Sequence, residues 1–163
     1  MESNSVSAVI KDYIFTVDLS AVEDRLVNID GWKRKYAKEA CKQYRNYIFL
    51  RKKYGPEHEL PPSVEMDDVW HAHVLHTRDY FDFCNTIFGE YLHHDPHMEG
   101  GKFSVADLQR KFDKETQTAY FKEFGHYIYC VRPITLKEII YGVGRWLKSI
   151  PMLLIKKPTP QFS

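Results

Sequence analysis

The chain has 163 residues, a size at which one domain buries about 70% of its surface without staples. With 44% apolar and 15% aromatic residues it cannot be a disordered chain, and the aromatic share predicts a core of large flat side chains. A formal net charge of +1 provides no global field for nucleic acid or an acidic surface, so nucleic acid is excluded as a general partner.

No basic leader with an apolar run is visible after Met1, no apolar stretch approaches about 20 residues, and no repeat occurs. Three cysteines, Cys41, Cys84 and Cys130, form neither a C-x-x-C pair nor a disulfide framework and fit a reducing compartment. The expected location is cytoplasmic, export by a specialised system being the alternative.

Taken in chain order, Tyr13-Ile-Phe-Thr-Val17 reads as a short extended stretch. Asp18 or Ser20 then caps a helix whose apolar residues Leu19, Val22, Leu26 and Ile29 recur at helical spacing until Gly31. A long helix follows from about Trp32 to Tyr54, with Tyr36, Ala40, Tyr44 and Tyr47 inward, and Gly55-Pro56 stops it. Ser63 or Asp67 caps a third helix predicted to run to about Phe88, with Gly89 just past its end. Residues 90–101 read as an ordered polar loop rich in histidine. A fourth helix, broken once, starts after Ser104 and ends at Gly125. Past Pro133, an amphipathic helix covers about Leu136 to Ser149. The fold class expected is therefore all-α, a compact single-domain bundle of about five helices. Residues 1–133 form the helical domain with its His-rich site, and 134–163 a basic C-terminal helix and tail packed on it.

The main anomaly is the distribution of imidazoles, since six of the eight histidines fall between His71 and His97. Five of them sit in Asp67-Asp68-Val-Trp70-His71-Ala-His73 and in His93-His94-Asp95-Pro96-His97, and His76 follows the first run. Imidazole with carboxylate suits zinc or iron better than magnesium or calcium. At about 100° per residue only i,i+3 and i,i+4 partners share a face, so Asp67 or Asp68 can act with His71, whereas His71 and His73 diverge by about 200°. The expected ligands are Asp68 or Asp67, His71, and two of His93, His94 and His97 brought back by the loop. Trp70, His73, Tyr80 and Cys84 would support them, Cys84 lying too far along a continuous helix to share an ion with His73. Two histidines and one carboxylate leave open positions, as catalytic zinc and non-haem iron sites do, and Asp67 or Asp95 would then serve as a base.

Bland readings compete at each position. His71 could be a core histidine bonded to Asp67, His73 a buried hydrogen-bonding partner, and Cys84 a small buried hydrophobe; His76 is expected to face solvent. Two functions follow: a metal-dependent protein, whose catalytic version is an enzyme acting on an unidentified small molecule, or a non-catalytic interaction module. In the second, the histidines close a structural zinc site or a hydrogen-bond network. A pH sensor ranks third. In the C-terminal segment Lys137, Arg145, Lys148, Lys156 and Lys157 flank a broad apolar face, so residues 134–157 suit contact with a membrane surface or a protein, if they do not simply pack on the bundle.

The run from Asp67 to Gly89, with Trp70-His71, Tyr80-x-x-x-Cys84 and Phe88-Gly89, then His93-His94-Asp95-Pro96 and Tyr120-x-x-x-Phe124-Gly125, resembles the glycine-rich domain-containing protein-like family in its short bacterial form. The resemblance covers roughly Met66 to Gly125. It implies a compact helical domain with a polar or metal site at Asp68, His71, Tyr80, Cys84, His93 and His94, and no assigned reaction. The Trp-Pro that usually follows the last segment is replaced here by 126–133.

Overall fold

A computed structural model of the chain describes residues 5–94 and 105–133. It is all-α: helices α1 (Ala8–Thr16), α2 (Ser20–Asn28), α3 (Arg34–Tyr54), α4 (Val64–Val74), α5 (Thr77–Phe88), α6 (Val105–Lys111) and α7 (Gln117–Phe124) follow one another, with no strand among the described residues. The predicted helix after Pro133 lies outside those residues.

The N-terminal segment differs from expectation. Tyr13 to Thr16 belong to α1, whose first turn is capped by the Ser7 hydroxyl accepting from the Ile10 N–H. The β-branched and aromatic run had suggested a strand, but Ile10, Tyr13, Ile14 and Val17 recur at helical spacing against the core, and burial outweighs local β preference. In α2 the Asp18 carboxylate accepts from the Ser20 N–H at 2.8 Å, which holds its pKa below the usual carboxylate value, while Val22 and Leu26 turn inward.

Helix α3 is the axis of the bundle and packs against α1, α2, α4 and α7. Its inward stripe of Ala37, Ala40, Cys41, Tyr44, Tyr47, Ile48, Leu50 and Tyr54 is buried, and Gly55, at φ 76°, ends it. Tyr44, Tyr47, Tyr54, Tyr80 and Tyr120 are all fully buried, and each hydroxyl has a partner. They meet the His73 ring nitrogen, the Leu60 carbonyl, Glu123, the Leu92 carbonyl and the Asn46 amide respectively. Burial raises the pKa of every one of the five.

The third predicted helix is two. Ser63 caps α4, its hydroxyl accepting from the Met66 N–H at 3.2 Å, but α4 closes at Leu75 with a tight bond from the His76 N–H to the His73 carbonyl. His76, at φ −87° and ψ 63°, leaves helical geometry and α5 starts afresh at Thr77. His76 is half-buried rather than solvent-facing. The fourth predicted helix carries its break as a π-turn over Phe112–Thr116, where Thr116 donates to the Pro61 carbonyl. Beyond Gly125 the segment 126–132 returns over the bundle. Gln117 makes two bonds to Ile128, Gln43 donates to the Tyr129 carbonyl, and the Arg132 guanidinium lies 4.4 Å from the Trp32 ring. Among the described residues no helix is long and apolar enough to cross a membrane.

Candidate metal centre

Helix α4 sorts its polar residues by angle. Asp67 and His71, one turn apart, look outward from the bundle, with side chains 34% and 46% exposed. Met66, Val69, Trp70 and His73 look inward. The segment after Gly89 folds back along this helix and sets His94 against it: the His94 Nε2 is 2.9 Å from the His71 Nε2 and 3.2 Å from an Asp67 oxygen. A second Asp67 oxygen is 3.6 Å from the His71 Nδ1. Asp67, His71 and His94 each offer a ligand atom within 4.8 Å of the others, a spread that a metal ion could occupy.

Three interactions hold His94 in place. Its ring stacks on Trp70, with centroids 4.1 Å apart and planes at 17°. The Trp70 indole N–H donates to the Tyr80 hydroxyl at 2.7 Å, and that hydroxyl donates to the Leu92 carbonyl at 2.5 Å. Burial raises the pKa of the Cys84 thiol, and the Leu92 backbone together with the Tyr80 hydroxyl pulls it partway back. Gly89, at φ 77° and ψ 3°, supplies the left-handed turn that redirects the chain from α5 toward Leu92.

The other expected residues lie elsewhere. Asp68 turns from the group toward Arg132, at 3.4 Å, and the carboxylate in the group is that of Asp67. Burial pushes the Asp68 carboxyl up to about 7, with Arg132 acting in the opposite direction. His93 is exposed, its ring 4.9 Å from that of Tyr91, and it is not in the group. Asp95 and His97 lie outside the described residues. His73 is buried with its Nδ1 3.2 Å from the Tyr44 hydroxyl and its ring edge-on to Tyr44 and Tyr80; burial lowers its pKa to about 4. It is neutral at pH 7 and belongs to the core.

A second polar corner escaped the sequence reading. The Cys130 thiol donates to Glu65 at 2.8 Å, next to the Asp68–Arg132 pair, and burial together with Glu65 pushes its pKa up to about 12. A thiol so held is not a nucleophile at neutral pH. Its only sequence trace is a lone cysteine near an arginine.

The UCP032817-like family model matches residues 6–121 of the 163. The chain belongs to this family. The resemblance to the glycine-rich domain-containing protein-like family is thereby corrected. The residues that carried it include Trp70 and Tyr80, which bond each other, a local arrangement too short to fix descent. UCP032817-like is an uncharacterised family, and no curated protein and no solved structure matches the chain.

Proposed function

We propose that this member of the UCP032817-like family is a metal-binding protein whose ion, zinc or iron, is held by Asp67, His71 and His94 with coordination positions left open to solvent. The observation that carries this reading is the approach of two imidazole nitrogens to 2.9 Å from residues 23 apart in sequence, beside a carboxylate oxygen at 3.2 Å. At zinc–nitrogen distances of about 2.05 Å, two nitrogens so spaced subtend roughly 90° at the ion, so small rotations of the side chains suffice for coordination. Trp70 behind His94 supports the reading, because a stacked ring keeps its nitrogen aimed at the group.

Two histidines and one carboxylate are a catalytic donor set rather than a closed structural one. When bound, such an ion supplies Lewis-acid activation of a water. The chain's own part is to hold two imidazoles and a carboxylate at the rim of the bundle, where Asp67 and His71 remain accessible.

The experiment is metal titration of the purified chain followed by thermal melting. Zn²⁺ or Co²⁺ at a hundred times its Kd should add about 2.7 kcal/mol of stability. His71→Ala and His94→Ala should abolish the gain, and the chelated protein should keep its helical circular dichroism. Absence of stabilisation by Zn²⁺, Co²⁺ and anaerobic Fe²⁺ would overturn the reading. Unfolding on chelation would favour a structural zinc site instead.

A further inference from the structure

Leu92 is an unremarkable residue by type, yet its backbone is held by a side chain of α5. Its carbonyl accepts from the Tyr80 hydroxyl at 2.5 Å, and its backbone also acts on the Cys84 thiol, drawing the thiol pKa down against burial. Tyr80 and Cys84 stand four residues apart, so they project from one face of α5 about one turn from each other. Both are buried, Tyr80 and Cys84 alike at 0% exposure, so neither can trade Leu92 for water.

The same Tyr80 hydroxyl also accepts from the Trp70 indole N–H at 2.7 Å. One oxygen therefore fixes two things: the indole on which His94 stacks, and the backbone two residues before His94. We propose that Tyr80 and Cys84 are positioning residues, a clamp on the Leu92 backbone that sets the His94 imidazole over Trp70 and against His71. The clamp selects the register of the returning segment. A slip of one residue would present His93, which is exposed and packs on Tyr91, in place of His94.

The effect on metal affinity rests on the reading of Asp67, His71 and His94 as a metal group; the placement of His94 does not. The test therefore has two arms on the full chain. In metal-free protein, the carbon-bound ring protons of His94 lie over the indole face, and NMR should find them shifted upfield by the ring current. Tyr80→Phe, which keeps the ring and removes the hydroxyl, should abolish that shift. In the second arm, Co²⁺ titration should show the affinity of Tyr80→Phe lowered about 10–100-fold, the range for partners that orient a ligand, with an altered visible spectrum. Cys84→Ala should move both readouts the same way by less, and Cys84→Ser, which restores an acceptor, should recover them; this pair carries the test if Tyr80→Phe does not fold.

An unchanged His94 shift in Tyr80→Phe and Cys84→Ala overturns the clamp, whatever happens to affinity. A lost shift with unchanged Co²⁺ affinity and spectrum overturns its hold on the metal group. Failure of the wild-type chain to bind Co²⁺ sinks the metal reading alone, and the ring-proton shift then decides the clamp.

Discussion

The two histidines of α4 make the sharpest comparison in the molecule. His71 and His73 are two residues apart, yet one is 46% exposed at a rim with a carboxylate and a second imidazole, and the other is 3% exposed among Tyr44, Tyr80 and Phe83. A helix turns about 200° over two residues, and that rotation alone assigns them to different chemistry. On the outer face one imidazole nitrogen approaches a second ring and the other a carboxylate. On the inner face burial strips the charge, and a tyrosine hydroxyl satisfies a nitrogen.

Substitutions can break or sharpen this contrast. The largest effect is expected at Trp70, which is buried between the faces, bonded to Tyr80 and stacked with His94. Trp70→Ala should cost about 3–5 kcal/mol in urea unfolding and also remove metal binding. A loss confined to stability would mean that the stacking does not hold His94. Next come the two histidines as a pair. His73→Ala should destabilise by about 1–3 kcal/mol, leaving the Tyr44 hydroxyl unpartnered, with Co²⁺ affinity little changed. His71→Ala should leave metal-free stability within about 0.5 kcal/mol and lose Co²⁺ binding. The reverse pattern in the same two assays would exchange the roles of the faces. An effect on stability alone is expected at the turn that delivers the outer face its third member. A Cβ at Gly89 meets nothing within 4 Å, so Gly89→Ala should cost only the strain of φ 77°, about 1–2 kcal/mol by melting. A larger loss would indicate that the turn also bears packing.

Much of this was readable in the sequence because it is local. Helical periodicity found α2 and α3, Ser63 marked the start of α4, and Gly55, Gly89 and Gly125 marked three helix ends. The histidine cluster pointed to the corner where Asp67, His71 and His94 gather, and angular spacing separated His71 from His73. Two kinds of information were out of reach. Where the sequence offered equal local choices, as between Asp67 and Asp68, the decision came from Arg132, 64 residues away, which takes Asp68. Where local preference pointed the wrong way, as at Tyr13 to Thr16, or gave no warning, as at His76, contacts across the bundle decided the backbone. His94 belongs to the same class. Spacing proposed three candidates in the loop, and the stack on Trp70 with the approach to His71 and Asp67 distinguishes it from its neighbour His93.

The five fully buried tyrosines have a consequence for how this core tolerates change. A leucine interior is held by shape alone, and neighbouring helices can slide or exchange rotamers at modest loss. Here each phenol oxygen is tied to a specific atom on another part of the chain, from Leu60 and Leu92 to Glu123. Sliding α3 by one turn would strand several hydroxyls in a dry interior simultaneously, so wrong alignments are penalised far more steeply than poor fits. The interior acts as a keyed lock as well as a filler, and the rim that carries His71 and His94 inherits its alignment from those keys.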